Sequence, residues 1–209
     1  MQAARGASLT GDHEVDPPVR PRGSKARLLA VFGLVAVTMY AVDVISKIIA
    51  VDRLDGRPDV EIVGDFFVLH LVRNPGAAFS TGTGYTQVFS CLAIAAVVVV
   101  LYLARRVGSL GWAFALGFLL AGVAGNLTDR LLRDPAPLRG HVIDFFMLPH
   151  WPVFNVADIC IDIAAGLILI QVFRGIRLDG TRTPDKAEKA DTAAPADEQP
   201  GDGTQESAQ

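Results

Sequence analysis

The chain of 209 residues is 51% hydrophobic and only 20% charged, with a net charge of −3, a mean hydropathy of +0.36 and a pI near 5.8. Two cysteines, Cys91 and Cys160, exclude a disulfide scaffold, and His13, His70, His141 and His150 show no zinc-ligand spacing. The acidic balance and the lack of a phosphate-binding glycine loop argue against nucleic acid or nucleotide chemistry, leaving a membrane protein or an unusually apolar globule.

Residues 1–26 hold Pro17, Pro18, Pro21 and Gly23 but no apolar run, so a disordered tail is expected. The first apolar run, Leu28 to Val51, would extend about 36 Å as a helix, enough to cross a hydrocarbon core of about 30 Å with tilt. It is too long for a cleavable signal peptide, and no small-residue cleavage site follows it. Asp52 to Gln87 predicts a short pair of strands around Val60, Ile62, Phe66 and Leu69–Val72, ending in the turn Asn74-Pro75-Gly76. Val88 to Ala104 is a second spanning run, and Leu110 to Leu127 a third without a charge. Arg133 to Phe154 forms a second loop, in which four prolines surround the apolar stretch Val142–Leu148. Val156 to Phe173 is the fourth run and contains Asp158 and Asp162. Trp112 and Trp151 stand near span ends, as aromatic side chains at a membrane boundary do.

The expected fold is therefore an all-α membrane protein of four transmembrane helices over residues 27–177, with a small β-rich cradle and a second outer loop. From Leu178 to Gln209, eight acids and three bases give −5, leaving +2 for the rest; this segment reads as a second disordered tail. Lysines and arginines fix the orientation. Arg20, Arg22, Lys25 and Arg27, then Arg105 and Arg106, then Arg174 and Arg177 fall on one side, which is expected to be cytoplasmic and to hold both termini.

Ionisable groups at membrane depth are costly and point to function. Asp43 and Lys47 stand at i and i+4, as an internal ion pair or as a substrate-facing pair. Asp129 and Arg130 follow the third run, with Asn126 one turn earlier. Asp144, in the apolar stretch Val142–Phe146, and Asp158, at the start of the fourth helix, lie on the outer side. Two carboxyl groups in a partly dry site can share a proton and activate water. Asp162 falls on the face of Asp158 and deeper, as a third member of the site or as a buried acid held neutral; the neutral structural role is the one expected. No nucleophilic serine turn is present, and both cysteines read as small hydrophobes.

Five blocks together resemble the bacterial lipoprotein signal peptidases, the signal peptidase II family. They are Asp43–Lys47, Asn74–Ser80, Gly122–Arg130, Val142–Phe145 and Phe154–Ile161. One departure is Ala121, where that family often has glycine. The resemblance implies an aspartyl endopeptidase of the cytoplasmic membrane that removes the signal peptide from diacylglyceryl-modified prolipoproteins. It implies an Asp144–Asp158 dyad on the extracytoplasmic side, and a pocket lined by Asn74, Asn126, Arg130 and Asn155. Asp43, Lys47 and Asp129 are then structural polar residues. No metal or organic cofactor is implied, and a monomer among membrane lipids is expected. Two other classes fit four helices: a proton-coupled transporter using Asp43, Asp158 and Asp162, and a non-catalytic assembly factor. The first predicts internal repeats, and none is visible.

Overall fold

The computed structural model describes residues 22–76 and 85–182. The expected tails up to residue 21 and from residue 183, and residues 77–80 of the second block, lie outside them. Four helices carry the fold: α1 (Arg22–Leu54), α2 (Thr86–Ala104), α3 (Leu110–Leu132) and α4 (Val156–Phe173). Each is long and apolar enough to cross a membrane. Three strands, β1 (Val60–Val63), β2 (Phe67–Asn74) and β3 (Val142–Met147), form one antiparallel sheet in that order.

Both expected tails are shorter than the sequence suggests. Residues 22–26, expected in the first tail, are instead the opening of α1. Leu178 to Arg182, expected in the second tail, fold back as a turn: Gly108 N–H donates to the Leu178 carbonyl at 2.8 Å, and Arg177 N–H to that of Thr181 at 2.8 Å. Leu178 explains this, because its side chain packs on the apolar cluster of Phe32, Val100, Ala104, Val107, Ala113 and Leu116. That cluster closes the end of the bundle away from the sheet.

Helix α3 is the axis of the bundle, packing on α1, α2 and α4. It can be central because small residues line its contacts, and close backbone approach replaces the hydrophobic drive that lipid does not supply. A Cβ on Gly122 would overlap the Ala157 carbonyl oxygen and come within 2.7 Å of Ile161 Cγ1. A Cβ on Gly125 would strike the Asp43 carboxyl group. Gly166 of α4, by contrast, faces open space. Gly122→Ala is therefore expected to destabilise by about 1–3 kcal/mol through overpacking, whereas Gly166→Ala stabilises by up to about 1 kcal/mol through helix propensity. Thermal unfolding in detergent reads both; equal shifts would contradict the packing.

The sheet lies over the other end of α1. β3 comes from the second loop, where a strand was not expected. Its pattern has period two: Ile143 and Phe145 bury against Ala50 and Leu54 of α1, so Asp144 points to the opposite face. β2 holds it in register, with Val72 opposite Asp144 and Asn74 opposite Val142. Arg73 forks onto Asp55 at 3.1 and 2.9 Å, tying β2 to the segment after α1. The guanidinium holds the Asp55 carboxyl below its usual range.

Candidate active site

Strand β3 and helix α4 bring Asp144 and Asp158 to one cavity of about 540 Å³ at the sheet end of the bundle, lined also by β2, α3 and the loop before α4. Chain reversal makes this possible. Phe154 N–H donates to the Phe146 carbonyl at 3.0 Å, and Phe146 N–H returns the bond at 2.9 Å. That closed loop delivers the chain to Asn155 at the start of α4, beside β3. There Asn155 and Asp158 form a reciprocal cap: Asp158 N–H donates to Asn155 Oδ1 at 3.0 Å, and Asn155 N–H to Asp158 Oδ2 at 3.1 Å. Asp158 is thus a helix cap with its other oxygen left for the cavity.

Three asparagine amides set the carboxyl groups. Asn74 Nδ2 donates to Asp144 Oδ2 at 2.9 Å, and Asn155 Nδ2 to Asp144 Oδ1 at 2.6 Å. Asn126 Nδ2 donates to Asp158 Oδ1 at 2.9 Å. Their orientations follow from what they meet on the other side. Gly76 N–H donates to Asn74 Oδ1 at 3.0 Å, so the amide nitrogen must face Asp144. Lys47 Nζ donates to Asn126 Oδ1 at 2.9 Å, and an ammonium accepts nothing, so the Asn126 nitrogen must face Asp158.

Asp144 is 3% exposed. Burial, helped by the Asp158 charge nearby, raises its carboxyl to about 6 against the opposing bonds from Asn74 and Asn155. Arg130 lines the same cavity, and its Nη2 donates to the Gly76 carbonyl at 2.9 Å. One guanidinium thereby joins α3 to the turn after β2.

Beneath the cavity lies a buried charged layer. Lys47 Nζ is 2.9 Å from Asp43 Oδ2 and 3.0 Å from Asp129 Oδ2, with all three side chains nearly inaccessible. Each acid also grips a backbone. Asp43 Oδ1 accepts from Ala157 N–H at 2.8 Å, in the first turn of α4, where the helix dipole favours an anion. Asp129 Oδ2 accepts from Ile143 N–H at 3.2 Å, one residue before Asp144, and its Oδ1 pairs with Arg133. So one acid supports the segment bearing Asp158, the other supports the segment bearing Asp144, and Lys47 joins them. Asp43 and Lys47 form the internal pair and do not line the cavity.

Asp162 departs from expectation. It is not buried but exposed, and it lines the cavity one turn beyond Asp158. Helical spacing placed it on the face of Asp158 without showing that this face opens onto a cavity. Trp151, expected at the membrane boundary, also lines the cavity. Cys160 is fully buried, and Cys91 is exposed on α2. The bond between Tyr40 Oη and Thr128 Oγ1, 3.0 Å, was not foreseen. Its signal in the sequence is weak: Tyr40 is one of three hydroxyls in the first apolar run, with Thr38 and Ser46, and Thr128 follows directly on the third run.

A four-helix bundle with a polar, carboxyl-bearing cavity at one end is the architecture of a polytopic membrane enzyme. Two solved structures described as bacterial membrane enzymes share this fold. One has a TM-score of 0.61 at 26% identity, covering 69% of this chain and 94% of that one. The other has a TM-score of 0.61 at 22% identity, covering 81% and 95%. The family model for signal peptidase (SPase) II matches residues 35–174. The lipoprotein signal peptidase of Leifsonia xyli is 41% identical over 180 residues, 86% of this chain and 83% of its own. That of Mycobacterium avium is 43% identical over 179 residues, 83% of this chain and 98% of its own. The chain belongs to the signal peptidase II family, the lipoprotein signal peptidases, and is a membrane protease.

Proposed function

We propose that this protein is an aspartic endopeptidase that cuts the signal peptide from diacylglyceryl-modified prolipoproteins at the extracytoplasmic face of the cytoplasmic membrane. The observation that carries this reading is the pair Asp144 and Asp158 on one cavity, with the oxygens oriented by three asparagine amides.

Water held between the two carboxyl groups gives a proton to Asp158 as its oxygen adds to the scissile carbonyl carbon. Asp144, whose hold on a proton burial strengthens, protonates the carbonyl oxygen. The resulting diol collapses as the carbon–nitrogen bond breaks. The leaving nitrogen takes the proton from Asp158, and a diol hydroxyl returns one to Asp144, so the dyad ends as it began. Arg130 and the asparagines offer donors where negative charge develops on oxygen.

The orientation is supported by charge. Lys25, Arg27, Arg105, Arg106, Arg174 and Arg177 all lie at helix ends away from the sheet, the pattern of a cytoplasmic side. The cavity then opens at the outer leaflet, where a lipidated cysteine keeps its acyl chains.

The purified protein is expected to cut a diacylglyceryl-modified precursor peptide just before the modified cysteine. Cleavage of the unmodified peptide at the same rate would remove the lipid from the reading. A reporter that works only outside the cytoplasm should be silent when fused after Gly108 and active within Gly56–Gly64. The reverse pattern would invert the topology.

A further inference from the structure

Asp162 is the one acid on the cavity for which the hydrolytic scheme has no use. It is exposed to the cavity and forms no hydrogen bond or ion pair among the described residues. Its surroundings are unlike those of Asp144 and Asp158, which are held by asparagine amides. Ile159 and Ile161 flank it on the same stretch of α4 and also line the cavity. Ile161 is committed to packing on Gly122, which keeps this turn of α4 seated on α3 and fixes the direction of its neighbour. A lone carboxyl group among isoleucines at membrane depth is costly unless something hydrated or polar meets it.

We propose that Asp162 is a specificity-determining residue, which reads a side chain of the substrate just upstream of the scissile bond and favours a hydroxyl there. The proposal rests on the peptidase reading above. Four residues of helix place Asp162 about 6 Å further along α4 than Asp158, away from the sheet. An extended peptide covers that distance in about two residues. A signal peptide enters from the membrane, so its residues before the cut lie on that side of the dyad. Asp162 therefore stands beside the second residue before the cut. A serine or threonine hydroxyl there donates to the Asp162 carboxyl. A leucine leaves that carboxyl without a partner while excluding water from it, and a site that bonds a hydroxyl rejects the side chain lacking one. A substrate aspartate would set a second carboxyl against the first.

The test uses the full-length protein in detergent and a set of diacylglyceryl-modified precursor peptides. Each carries leucine, serine or aspartate at one of the three residues before the cut. Wild type is expected to prefer serine over leucine by about tenfold in kcat/KM at the second residue, with aspartate poorest. Asp162→Leu should reverse the serine–leucine order there, and Asp162→Asn should keep serine preferred while relieving the penalty on aspartate. Because Asp162 has no partner to lose among the described residues, neither variant should unfold below the wild-type temperature. The same order of preference in wild type and Asp162→Leu at all three positions would overturn the proposal and leave the peptidase reading intact. A folded wild type that cuts none of the peptides would overturn both.

Discussion

Asp144→Asn and Asp158→Asn should each abolish cleavage of a lipidated precursor, by at least about 10³-fold, and leave a folded, membrane-inserted protein. The asparagine side chain has the shape of aspartate but cannot carry a proton through the cycle. If the two carboxyl groups act on one water as a unit, the double substitution will be little slower than either single one. Independent, multiplying losses would mean that the two acids do not share the water. The same variant tests the electrostatics. Asp144 binds its proton more tightly in the folded protein, at about 6 against 3.8 for the free side chain. Between those values the folded state holds more protons than the unfolded one, so stability falls as pH rises through the window. Above about pH 6 the whole cost is present, of order 3 kcal/mol as an upper limit. Asp144→Asn removes that cost. It also turns an NH2 toward one of the two amides that donate to Asp144, which opposes the gain at every pH. The difference in unfolding temperature, variant minus wild type, should therefore be more positive at pH 8 than at pH 4. An identical difference at both would contradict the raised proton affinity.

Lys47→Met should be the most damaging single change to the fold. Lys47 is 1% exposed and faces Asp43, Asp129 and Asn126. Methionine fills similar space but leaves two buried carboxyl groups without the cation between them, and breaking such a set costs about 3–5 kcal/mol. Arg133 still pairs with Asp129, so Asp43 is left worse placed. Adding Asp43→Asn should then recover part of the loss, because one uncompensated charge is gone. The double-mutant cycle, read as folded yield and unfolding temperature in detergent, should be strongly non-additive. Normal yield for Lys47→Met alone would show that the layer does not depend on its cation.

Much of the membrane plan is legible along the chain, because a spanning helix is a local feature. An apolar run such as Leu110 to Leu127 needs no partner to be read, only length and the absence of charge. The Asp43–Lys47 pair is local in the same way, four residues apart on one helix. The candidate dyad and its asparagines were also within reach, as polar residues at span ends in a recognisable set of blocks. What sequence could not decide depends on contacts between distant segments. The strand β3 exists because β2, some seventy residues earlier, offers it an edge, and the prolines around it spoke for a loop. Lys47 meets Asn126 and Asp129 only after α1 packs on α3. Asp162 shows the limit most plainly. Periodicity assigned it to a face of α4, but whether that face meets protein or a cavity is set by how α4 seats on Gly122 and how the loop through Trp151 closes over it.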